Sequence, residues 1–286
     1  MILFDRGALI QVFQDTIKLC NGETLKKAVQ KSISETAFYN EDDYPALPKK
    51  RFKRTEISMN KLRTLETAQN YKKKLPGAKI AVLNFASAIN VGGGVAHGSK
   101  AQEESICRCS TLYPVLNTPK NVENFYNPHR EQRYNYYSDR IIYTPDIVVM
   151  KSDTDLMPET LPEKNWITVD VITCAAPNLY FSLRYFSKDR KSKQIRPTDD
   201  ELYKIHLKRG EHILTVAAHH GADIFSGGAF GCGAFNNNPN VVAAAYNELA
   251  AKFKGYFQKI IFAVYCPPKY DKNFIAFNKF FNERAK

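Results

Sequence analysis

Leu9, Val12, Phe13, Ile17 and Leu19 recur at near-helical spacing and predict a helix within the first twenty residues. A second helix is predicted over 23–38, followed by a prolyl loop over 41–50. A short strand over 55–58 leads into a helix over 60–74, which Pro76-Gly77 stops. The apolar run 79–85 (KIAVLNF) predicts a strand. It enters a stretch with three consecutive glycines and then a helix opening at Gln102. Residues 114–140, rich in Asn, Tyr, Pro and Arg, show no period and read as a long loop. Residues 141–150 read as a strand pair broken at Pro145, and 166–174 as a strand buried on both faces. A polar loop over 177–197 precedes a long helix from Thr198 to His219-His220-Gly221. The strand 223–226 meets a second glycine-rich stretch, 227–235. A helix over 239–257 and a strand over 259–266 follow. A closing helix over 271–283 carries Phe274, Phe277 and Phe280 on its apolar side.

Strands that alternate with helices predict an α/β fold with a mixed or parallel sheet covered on both faces. No repeat or linker divides the chain, which predicts a single domain, 1–286, with a helical extension over 1–55 and a core over 56–286. No apolar run approaches the ~20 residues of a membrane span, so no membrane is expected among its partners. Asp5 and Arg6 interrupt the apolar start, which excludes a signal peptide as the reading of the N-terminus. The six cysteines form no C-x-x-C pair and no zinc spacing. Reduced thiols in the cytoplasm, or the nucleus of a eukaryote, are the simple reading. The net charge of +12 favours a polyanionic partner such as nucleic acid, phosphoinositide or another phosphate polymer. The basic runs 49–54 (KKRFKR) and 188–193 (KDRKSK) read as solvated surface rather than as localisation signals.

The chemistry concentrates in the two glycine loops, 92–98 and 227–233. Each follows a strand and precedes a helix. Ligands of open α/β sheets bind outside the carboxyl ends of strands, and backbone N–H groups at helix starts hold phosphates. Either loop alone could be turn geometry; side by side they would grip a diphosphate and its sugars. Two nucleotide motifs fail. Gly93-x-x-x-x-Gly98-Ser99-Lys100 lacks the Lys directly after Gly that a P-loop needs, and Gly228 to Gly233 is not G-x-G-x-x-G.

Glu103 and Glu104 sit in the first turn of the helix after the first loop, where simple capping would also put acidic residues. Neighbours on a helix point about 100° apart, so the two cannot face each other across a sugar as in an ordinary glycosidase. One carboxylate could do acid/base work while the other holds hydroxyls. A general acid needs its pKa raised by burial, and a helix N-terminus pulls the other way; the sequence leaves that balance open. Cys107 and Cys109 have no identifiable base partner and read as structural thiols. His97 in the glycine loop is open between ligand contact and plain surface. His219 and His220 read as cations at a helix C-terminus. No His/Asp/Glu set has metal-ligand spacing.

Gly92-Gly93-Gly94 followed by Gln102-Glu103-Glu104 resembles the signature of poly(ADP-ribose) glycohydrolases. The flanks VLNFASAIN and ESICRCSTLYPVL, and the later GGAFGCGAF, resemble the bacterial-type (microbial) branch of that family. The resemblance runs from about residue 60 to 266. It departs at Val91, where many relatives have proline, and at Asn236-Asn237-Asn238 after the second loop. It implies a macrodomain-like three-layer α/β/α sandwich that binds ADP-ribose and acts as a monomer with no cofactor or metal. It implies Glu104 as general acid and then base on the ribose–ribose O-glycosidic bond, with Glu103 holding the leaving ribose. It implies that Asn90, Gly92, Gly93, Gly94 and Gln102 surround the ribose under attack. Gly228, Gly231, Cys232, Gly233 and Ala234 would hold the diphosphate, and Phe235 would pack beside it; Phe230 reads as core. The implied substrate is poly(ADP-ribose) and the product ADP-ribose. Removal of single ADP-ribose groups from protein or nucleic acid, a non-catalytic ADP-ribose reader, and a basic nucleic-acid-binding module are the alternatives.

Overall fold

The computed structural model describes residues 5–132, 136–180, 196–267 and 270–281. Its centre is a seven-stranded mixed sheet in the order β1-β4-β5-β3-β6-β7-β2. The strands are β1 (Ala37–Tyr39), β2 (Glu56–Asn60), β3 (Ile80–Phe85), β4 (Ile141–Val149), β5 (Ile167–Cys174), β6 (Ile224–Gly227) and β7 (Lys259–Ala263). β5, β3, β6, β7 and β2 run parallel. β4 is antiparallel to β5, and β1 to β4.

Side chains alternate across a strand, and here the alternation sorts them into two cores. Ile80 and Val82 of β3, Val171 of β5, Ile224 of β6 and Ile261 of β7 face one core. Ala81, Leu83, Ile172, Phe225, Ile260 and Phe262 face the other. Helices α1 (Arg6–Cys20), α2 (Glu23–Ser34), α3 (Thr64–Lys74), α4 (Gln102–Cys109) and α5 (Leu112–Leu116) supply the first core. Helices α8 (Asp199–His219), α9 (Pro239–Lys252) and α10 (Lys272–Phe281) supply the second. The result is the three-layer α/β/α sandwich.

Helix α1 buries Leu9, Phe13, Thr16 and Cys20, one stripe at helical spacing. It is held to the core by polar contacts as well. Thr16 Oγ1 donates to the Arg108 carbonyl, and the buried Lys151 Nζ donates to Val12 O (3.0 Å) and Asp15 Oδ2 (2.6 Å). Helix α8 opens on a capping box in which Thr198 and Glu201 bond each other's backbone N–H.

Several elements differ from the sequence reading. Helix α2 ends at Ser34, and Ala37–Tyr39 pairs with β4 as an edge strand. Residues 141–149 form one strand with a register shift between Thr144 and Ile147, not a strand pair. Asp146 there takes a positive φ of 54° within the bulge. The expected loop over 114–140 carries short helical turns, including α6 (Pro119–Asn121), a π-helical turn Val122–Tyr126 and α7 (Asn127–Arg130). Helix α9 stops at Lys252 rather than 257. His220 is no solvated cation. Its ring stacks on Tyr143 at 3.5 Å, its Nε2 lies 2.7 Å from Tyr39 Oη, and burial lowers its pKa to about 4. Most of the loop expected over 177–197, and the basic run 188–193, lie outside the described residues. No helix among those described is long and apolar enough to cross a membrane.

Candidate active site

The site lies at the carboxyl ends of β3, β5, β6 and β7, where α4 meets the two glycine loops. Gln102, the first residue of α4, fixes the helix there. Its Oε1 accepts the Phe85 N–H at 2.8 Å; its Nε2 donates to Leu83 O at 2.7 Å and to Thr64 Oγ1 at 3.1 Å. The amide thus continues the ladder of β3 beyond its last pairing with β6 and ties in α3. Gln102 lines the cavity, with its amide atoms engaged in these protein contacts.

The next two side chains enter the interior. Glu103 is 3% exposed. Its Oε2 accepts the Ser87 N–H at 2.7 Å, and its Oε1 accepts from Asn84 Nδ2 at 3.3 Å. Burial raises its pKa to about 8, with the Glu104 charge adding to the rise and the Ser87 and Asn84 hydrogen bonds opposing it. Desolvation therefore outweighs the two hydrogen bonds at this residue. Glu104 Oε1 accepts the Gly94 N–H at 2.8 Å. Its Oε2 is buried without a hydrogen-bond partner among the described residues. Buried polar atoms are nearly always paired, so such an orphan calls for a functional account.

The glycine loop makes room for this pair. Gly93 has φ of 59°, and a Cβ there would lie 2.5 Å from Glu104 Oε1 and 3.0 Å from Glu103 Oε2. The two carboxylates, though splayed on the helix, therefore both end against one glycine. His97 is exposed on a 3₁₀ turn, Val95–His97, and is not among the residues that line the cavity.

A cavity of about 300 Å³ opens in front of the carboxylates. Phe85, Ser87 and residues 100–105 form one wall; Ala229, Phe230, Gly231, Gly233, Ala234 and Phe235 form another. Phe230 is fully buried against Phe85 (5.5 Å between centroids) and is both core and cavity floor. Phe235 is half-buried near Tyr137. Other expected ligand contacts stand back from the cavity. Asn90 is exposed on the loop, where its carbonyl accepts the Gly93 N–H at 3.0 Å. Gly228 packs against the β7 backbone: a Cβ there would lie 2.5 Å from Ala263 O. Cys232 turns its thiol toward Phe230 O at 3.7 Å, and burial pushes its pKa up. Cys107 and Cys109 are buried and unpaired by disulfides, as structural thiols.

The second loop is shaped by a residue the sequence did not single out. Asn237 Nδ2 donates to Pro177 O (2.7 Å), Gly231 O (3.0 Å) and Phe235 O (3.2 Å), and its Oδ1 meets His206 Nε2 at 2.8 Å. His206 is wholly buried, which lowers its pKa to about 4 and keeps the ring neutral. Gly231, with φ of 78°, passes so near that a Cβ would lie 2.8 Å from Asn237 Nδ2.

At the far end of the cavity stand Arg63, Asp153, Tyr265 and Asn273. The Arg63 guanidinium lies 4.0 Å from the Tyr265 ring centroid and pairs with Asp155 at 3.3 Å and Asp153 at 4.0 Å. Ser105 Oγ donates to the buried Asp153 at 2.5 Å. Only Tyr265 carried any signal, as an aromatic at the end of an apolar strand.

The family model for the microbial-type PARG catalytic domain matches residues 11–152. No curated protein sequence matches the chain. Among solved structures, poly(ADP-ribose) glycohydrolase from Thermomonospora curvata is 27% identical, covers 96% of this chain and 100% of its own, and superposes with a TM-score of 0.79. The same enzyme bound to the inhibitor ADP-HPD is 28% identical over 96% and 99% of the two chains, at 0.78. Poly(ADP-ribose) glycohydrolase from Deinococcus radiodurans in complex with ADP-ribose is 28% identical over 90% and 98%, at 0.74. The motifs and the sheet agree with these matches, and the chain is similar to microbial-type poly(ADP-ribose) glycohydrolases, by the family model over residues 11–152 and by fold over nearly its whole length.

Proposed function

We propose that this protein hydrolyses the ribose–ribose O-glycosidic bonds of poly(ADP-ribose) and releases ADP-ribose, with Glu104 as the acid and then the base. One observation carries the assignment of Glu104, which lines the cavity: its Oε1 is pinned by the Gly94 N–H, while its buried Oε2 has no hydrogen-bond partner among the described residues.

Glu104 gives its proton to the departing ribose oxygen as the C1–O bond breaks and positive charge develops on the sugar. The ionised Glu104 then takes a proton from the water that attacks the same carbon, which restores the acid. Glu103, with its pKa raised to about 8, keeps its own proton at neutral pH and serves as a hydrogen-bond partner for ribose hydroxyls. The loop from Gly231 to Phe235, braced from behind by Asn237, offers backbone N–H groups to the diphosphate.

The test is release of ADP-ribose from poly(ADP-ribosyl)ated protein, run beside mono-ADP-ribosylated protein. The reading expects ADP-ribose from the polymer. Polymer bound and left intact would refute it, and release only from the mono-modified protein would move the activity to single ADP-ribose groups.

A further inference from the structure

Every parallel strand begins on the same edge of the sheet, and that edge is crowded with cations the cleft does not use. The registers Glu56↔Lys259, Ile224↔Lys259 and Ile80↔Ile224 align the strand starts. Helix α3 opens at the cleft with Thr64, and its last turn, with Lys72, Lys73 and Lys74, returns to this edge. Lys259 Nζ lies 5.7 Å from the Tyr71 ring there. The basic run 49–54 is pinned beside it. The Arg51 and Phe52 N–H groups both donate to Gly255 O, at 2.9 and 3.0 Å. Thr55 Oγ1 donates to Phe257 O at 2.7 Å and accepts from Gly255 N at 2.8 Å.

The carboxylates of this edge are already engaged. Glu56 pairs with Lys259, Asp223 with Arg51, Asp170 with Lys79 and Glu211 with Lys252. Lys49, Lys53, Arg54, Lys73 and Lys254 are exposed, and none has an ion-pair partner among the described residues. The aromatic faces are also taken: Lys50 sits over Tyr256 at 5.6 Å and Lys74 over Tyr71 at 5.9 Å. Contacts here would be to phosphates rather than by base stacking.

We propose that this edge anchors a distant stretch of the same poly(ADP-ribose) chain that is being cut in the cleft. The proposal rests on the function proposed above. A cavity of about 300 Å³ cannot hold a polymer, so the remaining units, each with two phosphates, stay outside. A chain already held at the cleft meets the edge at a high effective concentration, an advantage that no unrelated polyanion shares. Parallel strands of four to eight residues at about 3.3 Å each set the edge roughly 13–26 Å from the cleft. Chains too short to cross that distance gain nothing from it.

The test compares wild type, the edge variant Lys53→Glu/Arg54→Glu/Lys73→Glu and the control Lys18→Glu/Lys26→Glu/Lys27→Glu, whose exposed lysines lie on α1 and α2. KM and kcat are measured at low and high salt on long polymer and on oligomers of two or three units. The edge variant should raise KM for long polymer about tenfold at low salt, with less effect at high salt. Its kcat and its KM for short oligomers should stay as in wild type. An unchanged KM for long polymer overturns the proposal, as does an equal rise in the control, which would reduce the effect to net charge. Loss of duplex DNA binding in the edge variant, with KM for long polymer unchanged, would assign the edge to nucleic acid and overturn the proposal too. A wild type that cuts no oligomer refutes the activity instead, and the edge is then judged by filter binding of intact polymer to both variants.

Discussion

Gly94 N–H and Glu104 Oε1 are joined at 2.8 Å, and this bond decides which carboxylate oxygen is left over. It orients the carboxyl so that only Oε2 remains without a partner. Replacing Glu104 by Gln keeps the size and removes the acidic proton. Glu104→Gln should lower kcat on poly(ADP-ribose) by ~10²–10⁴-fold. Calorimetry should find ADP-ribose binding retained; full turnover by the variant would take Glu104 out of its role.

Glu103 sets a different expectation, in pH. Its pKa is raised to about 8, so the proton is held through the neutral range and lost above it. Since the unfolded carboxyl titrates near 4.5, the native state binds more protons than the unfolded state between about 4.5 and 8. The stability contributed by Glu103 therefore falls as pH rises through that window. The kcat/KM of wild type should decline above about pH 8. In Glu103→Gln, which cannot ionise, that alkaline decline should be absent. A decline of the same midpoint in the variant would assign it to another group.

Gly93 offers a steric test of the same centre. An added Cβ would meet both carboxylates and would sit on a backbone with positive φ. The strained backbone costs on the order of 1–3 kcal/mol, and displacement of the Glu104 carboxylate adds a catalytic loss. Gly93→Ala should lower kcat more than it lowers ADP-ribose affinity. Wild-type kcat in Gly93→Ala would show that the close approach has no role in the chemistry.

The parts of this architecture that could be read from the chain are those with a local cause. The runs 79–85 and 166–174 are apolar enough to announce buried strands, and glycines mark both loops. β1 was hidden because three residues after a helix carry no period, and its pairing with β4 decides its state. The turns between 112 and 130 are each too short to show a helical stripe. Asn237 stands in a row of three asparagines, and only the folded loop selects the middle one. Arg63, Asp153 and Tyr265 are separated by ninety or more positions in sequence; Arg63 and Tyr265 meet because the parallel strands β2 and β7 end together, and the segment after the antiparallel β4 brings Asp153 to them. Tertiary burial also decided the titrations. No sequence argument could choose between desolvation and the helix N-terminus at Glu103, or see that His220 would be stacked and neutral.

Asn237 bonds three backbone carbonyls and one histidine, and its removal takes that partner from Pro177 O and His206 Nε2, while Gly231 O and Phe235 O keep backbone N–H donors. Each such orphan costs roughly 1–3 kcal/mol. Asn237→Ala should lower the melting temperature by several degrees and weaken ADP-ribose binding at least tenfold, because Gly231 and Phe235 lose their common support. Affinity unchanged despite lower stability would separate the loop's shape from Asn237.

His206, His220 and His129 are all held neutral, each with its pKa lowered to about 4, burial being the largest cause. In the unfolded chain each would take up a proton near pH 6.5. Between about 6.5 and 4 the unfolded state therefore binds more protons, and the stability these groups contribute is lost as pH falls. Glu103 acts in the opposite sense over much of that range, so the melting temperature of wild type alone does not isolate the histidines. His220→Phe does, because it keeps the stack on Tyr143 and removes one titrating ring. The variant loses the contact with Tyr39 and should start less stable at pH 7. Its melting temperature should then fall less steeply than that of wild type from pH 6.5 to 4. Parallel curves would mean that His220 is already protonated in the native state, and that the stack on Tyr143 holds a cation.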